Sequence, residues 1–168
     1  MDNKRKQILI LVVVVGIIAL VIYGISDIYH KKMEHISRNI ELNFKNCSIN
    51  WERNTHRGFL GDGEYFTRLE CSNIDYDNLA KNWKKLPLSE SIKKAVETKF
   101  CEGNGCKDIY EKYSIPSIEK GFYYFFDRHS DAIDKYDDTE LNNRSSWNYT
   151  LALLDPKTNT IYYYEIDT

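Results

Sequence analysis

Trp147-Asn148-Tyr149-Thr150-Leu151-Ala152-Leu153-Leu154, then Asp155-Pro156-Lys157-Thr158-Asn159, then Ile161-Tyr162-Tyr163-Tyr164-Glu165-Ile166: this stretch reads as two strands and the turn between them. Trp147, Tyr149, Leu151 and Leu153 alternate onto one face, the period of two expected of a strand with one side toward a core. The linking residues are turn formers, and the aromatic, β-branched run after them returns as the hairpin partner. Upstream, Gly121-Phe122-Tyr123-Tyr124-Phe125-Phe126 has the same β composition.

Two more strands come from the N-terminal half. Cys47, Ile49 and Trp51 share one face, and Tyr65, Thr67, Leu69 and Cys71 share another. Pairing them antiparallel with Cys47 opposite Cys71 sets Ile49 against Leu69 and Trp51 against Thr67 with no slip, and leaves a loop centred near Phe59. Helices are expected at two places. Asp75 or Asp77 caps one that runs through Leu79, Ala80 and Trp83 and stops at Pro87; Ser89 or Ser91 caps another, with Ile92, Val96 and Phe100 at four-residue steps and Lys93, Lys94 and Glu97 toward water. The fold class is α+β: an N-terminal transmembrane helix, then a small domain of about five mostly antiparallel strands and two short helices.

The transmembrane helix rests on residues 7–26, which carry no charge and hold an almost purely aliphatic run from Ile8 to Ile22. As a helix, about 20 residues rise roughly 30 Å, the thickness of a bilayer core. Lys4, Arg5 and Lys6 precede it, which places the N-terminus in the cytoplasm, although Lys31 and Lys32 flank the other side. The run exceeds a usual signal-peptide core, so it reads as a retained anchor. The chain then divides into a basic cytoplasmic tip (1–6), a membrane helix (7–26) that partners the lipid bilayer, a helical stalk (27–41) and an extracytoplasmic domain (42–168). With 168 residues, 42% hydrophobic and 29% charged, the composition excludes disorder and a multidomain enzyme. A net charge of −2 provides no basic field for nucleic acid. Acidic residues concentrate at the end, with nine against four basic in residues 127–168.

Four cysteines, Cys47, Cys71, Cys101 and Cys106, all follow the anchor. On an oxidising side an even count points to disulfides, and spacing favours Cys47 with Cys71 and Cys101 with Cys106, the latter closed by Gly103 and Gly105. A zinc site from Cys101, Cys106 and His129 is the weaker reading, since no second Cys pair follows. No metal and no cofactor is expected.

Two polar stretches bear on function. His56-Arg57-Gly58-Phe59-Leu60-Gly61-Asp62-Gly63-Glu64 forms the tip of the first hairpin, and His56, Asp62 and Glu64 there could act as acid and base. The same glycines suit a plain turn, and the spacing of a nucleotide-binding fingerprint is absent. Asp127-Arg128-His129-Ser130-Asp131 opens the second stretch, an aspartate-rich loop without the alternate ligands of a calcium-binding loop.

Together with Asn82-Trp83-Lys84-Lys85-Leu86-Pro87-Leu88, Asn148-Tyr149-Thr150-Leu151-Ala152 and the ending Tyr162-Tyr163-Tyr164-Glu165-Ile166-Asp167-Thr168, these stretches resemble a family of small uncharacterised membrane-anchored proteins of Gram-positive bacteria. The resemblance covers roughly residues 45–168. That family often reads His-Gly-Gly-Phe-His-Gly-Asp-Gly, so Arg57 and Leu60 depart from it. The resemblance brings no activity; it implies a tethered domain outside the cell. The sequence therefore reads as a binding or interaction module, with His56, Arg57, Phe59, Leu60, Asp62, Glu64, Arg128 and His129 as candidate contact residues and a protein partner at 56–64. A metal-assisted hydrolase using His56, Asp62 and His129 is one alternative. An immunity or inhibitor protein with an acidic partner-binding face is another.

Overall fold

The computed structural model describes residues 3–42, 46–56, 61–76, 79, 81–102 and 105–168, with the backbone alone at 3 and 100–102. Residues up to Arg38 form one unit and Asn39–Thr168 a second. The first is a helix, α1 (Asn3–Asn39). Its mean hydropathy reaches 3.3, and by length and composition it can cross a bilayer; large apolar side chains such as Leu20 and Ile22 are exposed along it. Beyond the apolar run, Asp27 pairs with Lys31 at 2.7 Å and Glu34 with Arg38 at 4.0 Å. In both pairs the acid precedes the base by four residues, the order that supports a helix once apolar residues run out.

The second unit is built on a six-stranded antiparallel sheet in the order β1 (Cys47–Asn54), β2 (Gly63–Cys71), β8 (Thr160–Asp167), β7 (Asn148–Asp155), β6 (Phe122–Asp127), β3 (Trp83–Lys85). The fold is α+β, and all five strands read from the sequence are present. The β7–β8 hairpin pairs Leu154 with Ile161. Its turn is closed by Asp155, whose carboxylate accepts from the Lys157 N–H and the Thr158 hydroxyl, both at 2.9 Å. Asn159 takes the left-handed conformation (φ 52°) that asparagine tolerates better than most side chains. Helices α2 (Glu90–Glu97) and α3 (Ile109–Tyr113) cover one face of the sheet. There Ile92, Val96 and Ile109 meet Phe66, Phe125, Tyr149, Leu151 and Tyr164.

On the other face the first residues of the unit are stitched to the strands. The Asn39 amide donates to the Tyr163 hydroxyl (2.9 Å) and the Glu165 carboxylate (2.8 Å). The Trp83 indole N–H donates to the Ile40 carbonyl at 2.8 Å, and the Tyr136 hydroxyl to Glu41 at 2.5 Å.

Three local expectations change. Asn50 is an extra residue in β1, a bulge, so Trp51 lies opposite Arg68 and not Thr67. The bulge turns the Trp51 ring to the face of Phe66 and Tyr113, and the Thr67 hydroxyl donates to the Trp51 carbonyl at 3.0 Å. Trp83 is not helical: Trp83–Lys85 is an edge strand paired with β6. Pro87 holds the residue before it extended, and β6 supplies hydrogen-bond partners that a short helix would forgo; Asp77, Asn78 and Ala80 lie outside the described residues. Phe100 belongs to a two-stranded hairpin, β4 (Phe100–Glu102) with β5 (Gly105–Lys107), and not to α2. Ser89 caps α2 as expected, accepting from the Ile92 N–H at 3.3 Å. The sequence reading omits α3, although Asp108 caps it and Glu111 stands three residues on, the pattern of a capping box.

Cys47 and Cys71 face each other and are disulfide-bonded, 24 positions apart in sequence. Cys106 is also disulfide-bonded. Cys101 lies opposite it in register, its side chain outside the described residues. Replacing Cys47 and Cys71 together by Ser should lower stability by about 3 kcal/mol through the loop left open in the unfolded chain. Urea unfolding of the variant and the parent checks this.

The interior is rich in phenols. Tyr149, Tyr163 and Tyr164 are 1% exposed or less, and burial raises all three above the ordinary phenol value of 10.0, with Glu165 adding to Tyr163 and with Tyr149 and Glu64 adding to Tyr164. The folded state keeps protons that the unfolded chain gives up above about pH 10. Stability is therefore complete below that pH and falls above it, by about 1.4 kcal/mol per pH unit for each such phenol. Urea midpoints should drop steeply from pH 10 to 11. The phenolate absorbance of these residues should appear together with unfolding and not before it.

Candidate functional site

The end of the sheet where β1 turns into β2 gathers the candidate residues. The hairpin closes through the Thr55 N–H donating to the Glu64 carbonyl (2.8 Å) and the Glu64 N–H donating to the Thr55 hydroxyl (2.9 Å). Gly63 has φ +153°, and a Cβ there would lie 2.6 Å from the His56 backbone, so the Asp62-Gly63 pair is fixed by close approach. Gly63 pairs with Asp167 of β8, which in turn pairs with Asn148 of β7.

Asp167 is the centre of this end. Its carboxylate accepts from His56 Nε2 at 3.0 Å and from Arg128, with Nη1 at 2.9 Å and Nη2 at 3.2 Å. Arg128 Nη2 also reaches the carbonyls of Tyr149 (3.3 Å) and Ile166 (3.2 Å). The other ring nitrogen of His56 faces Asn54 Oδ1 at 3.0 Å, an oxygen that also accepts from the His56 backbone N–H. Both ring nitrogens face oxygens of the protein, Asp167 Oδ2 and Asn54 Oδ1. The arrangement is a clamp that ties the hairpin to β8, β7 and the segment after β6, with a bidentate guanidinium–carboxylate pair at its heart.

The other candidates separate. His129 lies next to Arg128 in sequence but turns away: Nε2 meets the Ser146 hydroxyl at 3.2 Å, and Nδ1 accepts from the Asp131 N–H at 3.2 Å. Asp127, 1% exposed, holds the start of that loop through Arg144 and the His129 N–H. Glu64 faces the core side, where Lys112 Nζ stands at 2.8 Å and the Tyr113 hydroxyl donates at 2.5 Å; it is a buried structural carboxylate. Asp62 is exposed and lines an open hollow of about 420 Å³ with Thr55, Ile166, Asp167 and Thr168. Arg57, Phe59 and Leu60 lie outside the described residues. Among the described residues no three His, Cys, Asp or Glu side chains converge on a metal position.

Asp167 is absent from the sequence-derived candidates. The β7–β8 hairpin register places it opposite Asn148, but its meeting with His56 depends on β2 lying beside β8, a pairing that no local signal announces. No protein-family model, curated protein or solved structure matches this chain.

Replacing Asp167 by Ala should leave His56 and Arg128 without their shared acceptor and lower stability by about 1–2 kcal/mol, since the pair is partly exposed. Asp62→Asn, on the open side of the same hollow, should change stability by less than about 0.5 kcal/mol. Denaturant titration of both variants distinguishes a clamp from a surface cluster.

Proposed function

We propose that the chain is a single-pass membrane protein, with residues 7–26 in the bilayer, the N-terminus in the cytoplasm and the sheet domain outside, where it acts as a binding module. The hairpin end at 56–64 is its contact surface. One observation carries the binding role: the His56 ring nitrogens, the Asp167 carboxylate and the Arg128 Nη atoms are engaged with one another, with Asn54 and with backbone carbonyls, an arrangement that suits presentation of a segment. Phe59 and Leu60 lie in the segment between the clamped residues His56 and Gly63, and apolar residues flanked by charge are the usual makeup of a contact site. The outside location is supported by the Cys47–Cys71 disulfide, which an oxidising compartment favours, and by the basic residues ahead of the apolar run. The resemblance to small membrane-anchored proteins of Gram-positive bacteria agrees with this reading.

Protease added to intact protoplasts should remove the domain, and its protection would reverse the orientation. With Phe59 and Leu60 both replaced by Ser, the melting temperature should stay within about 2 °C, while partners captured by cross-linking from intact cells are lost. A large drop in melting temperature with capture intact would make the segment structural.

A further inference from the structure

Away from the clamp, a second hollow of about 260 Å³ opens beside the edge strand β1, lined by Trp51, Phe66, Arg68, Lys112, Tyr113 and Ser114. Phe66 and Tyr113 stack in parallel, with centroids 4.2 Å apart and an interplanar angle of 3°. Trp51 leans on both, at 5.6 and 6.1 Å. The indole is thus braced from behind, yet 43% of the residue is exposed. A large aromatic ring held rigid and left open to solvent loses little freedom when something lies against it.

The charges beside it are unequal. Lys112 is engaged by Glu64 at 2.8 Å. Arg68 donates through Nη2 to Asn50 Oδ1 at 3.0 Å, and its Nε is buried with no partner among the described residues. No carboxylate pairs with Arg68 among them. The bulge at Asn50 therefore does two things: it turns Trp51 to this face, and its own side chain holds the guanidinium beside the ring.

We propose that this hollow binds a carbohydrate unit bearing an anionic group, its ring lying on the Trp51 indole and its acid group on the Arg68 guanidinium. The C–H face of a sugar carries partial positive charge and meets the negative face of the indole. The planar guanidinium is suited to carboxylate and phosphate alike. A purely apolar ligand would cover the Arg68 charge without replacing its hydration. A peptide adding to β1 as a strand is opposed by the bulge and by Glu52 and Arg53 on that edge. The volume falls below that of pockets for whole drug-sized ligands, so the hollow takes one ring of a longer glycan. Among the described residues of the 56–64 segment, Glu64 alone bears on this site, through Lys112 and Tyr113.

The test is affinity electrophoresis of the full chain in detergent micelles through gels containing polygalacturonate, its methyl ester, or phosphomannan. The expected result is retardation by polygalacturonate or phosphomannan, with the methyl ester at least tenfold weaker than the free acid where the acid binds. Trp51→Ala should weaken binding at least tenfold. Arg68→Gln, which keeps a donor for Asn50, should bind acid and ester alike. Trp51→Phe retains the packing on Phe66 and Tyr113 and should give an intermediate loss; if Trp51→Ala does not fold, this variant and Arg68→Gln decide. The double Phe59, Leu60 to Ser variant should bind as the parent does, which separates this site from the contact surface at 56–64. Retardation by neither anionic glycan overturns the proposal, as does unchanged binding in Trp51→Phe and Arg68→Gln. Binding of an acidic copolymer of Glu and Tyr in place of the glycans would assign the hollow to peptides.

Discussion

The pairing of β2 with β8, from Gly63 opposite Asp167 to Glu70 opposite Thr160, is the constraint on which the domain depends. It joins two local hairpins that are far apart in sequence, and the loop-closure entropy it must overcome is the cost of making one sheet from two. Once it forms, Phe66 and Tyr164 share the helix-covered face. On the opposite face Tyr65 meets Tyr163 edge to face at 5.9 Å. At the end of the ladder the same pairing carries Asp167 beside the β1–β2 hairpin, where His56 and Arg128 converge on it.

The charged groups inside this domain are held by the fold. Glu64 with Lys112, Asp127 with Arg144 and Asp167 with Arg128 each join elements distant in sequence, and each is reinforced by a hydroxyl, a backbone group or a second side chain. The two buried pairs, Glu64 with Lys112 and Asp127 with Arg144, add little net stability over apolar packing, but they penalise any arrangement that leaves one partner alone. They act with two of the tyrosines, Tyr113 and Tyr163, whose hydroxyls serve as internal donors. Tyr113 donates to Glu64 and Tyr163 to Glu165, so large aromatic surface is buried without orphaned carboxylates.

One residue separates two versions of the edge. Were Asn50 paired in regular register with Arg68, Trp51 would stay in phase with Ile49 and fall opposite Thr67. With the bulge, the indole swings onto Phe66 and Tyr113, and Arg68 gains a side-chain acceptor. The bulge also interrupts the outer hydrogen-bonding row of β1, protecting an edge strand that would otherwise invite another chain.

The sequence by itself determined the elements whose signals are local. The apolar run of residues 7–26 is a bilayer-length helix because nothing polar interrupts it; the β7–β8 hairpin follows from alternation on both sides of a turn-forming stretch; Ser89 marks a helix start; and Cys47 opposite Cys71 follows from matching two short alternating segments. Alternation also placed Tyr149, Leu151 and Leu153 on the core face. Only the tertiary structure decided the rest. Trp83 has apolar spacing that suits a helix, yet β6 offers it a strand's hydrogen bonds and Tyr124 a ring at 5.8 Å. The bulge at Asn50 is a single unpaired residue with no signature in composition. Glu64, by sequence a candidate acid–base and contact residue at the hairpin tip, is a buried partner of Lys112 because α3 packs above it. Asp167, the organising carboxylate of the candidate site, was silent for the same reason: its role exists only after β2 and β8, separated by about ninety positions, lie side by side.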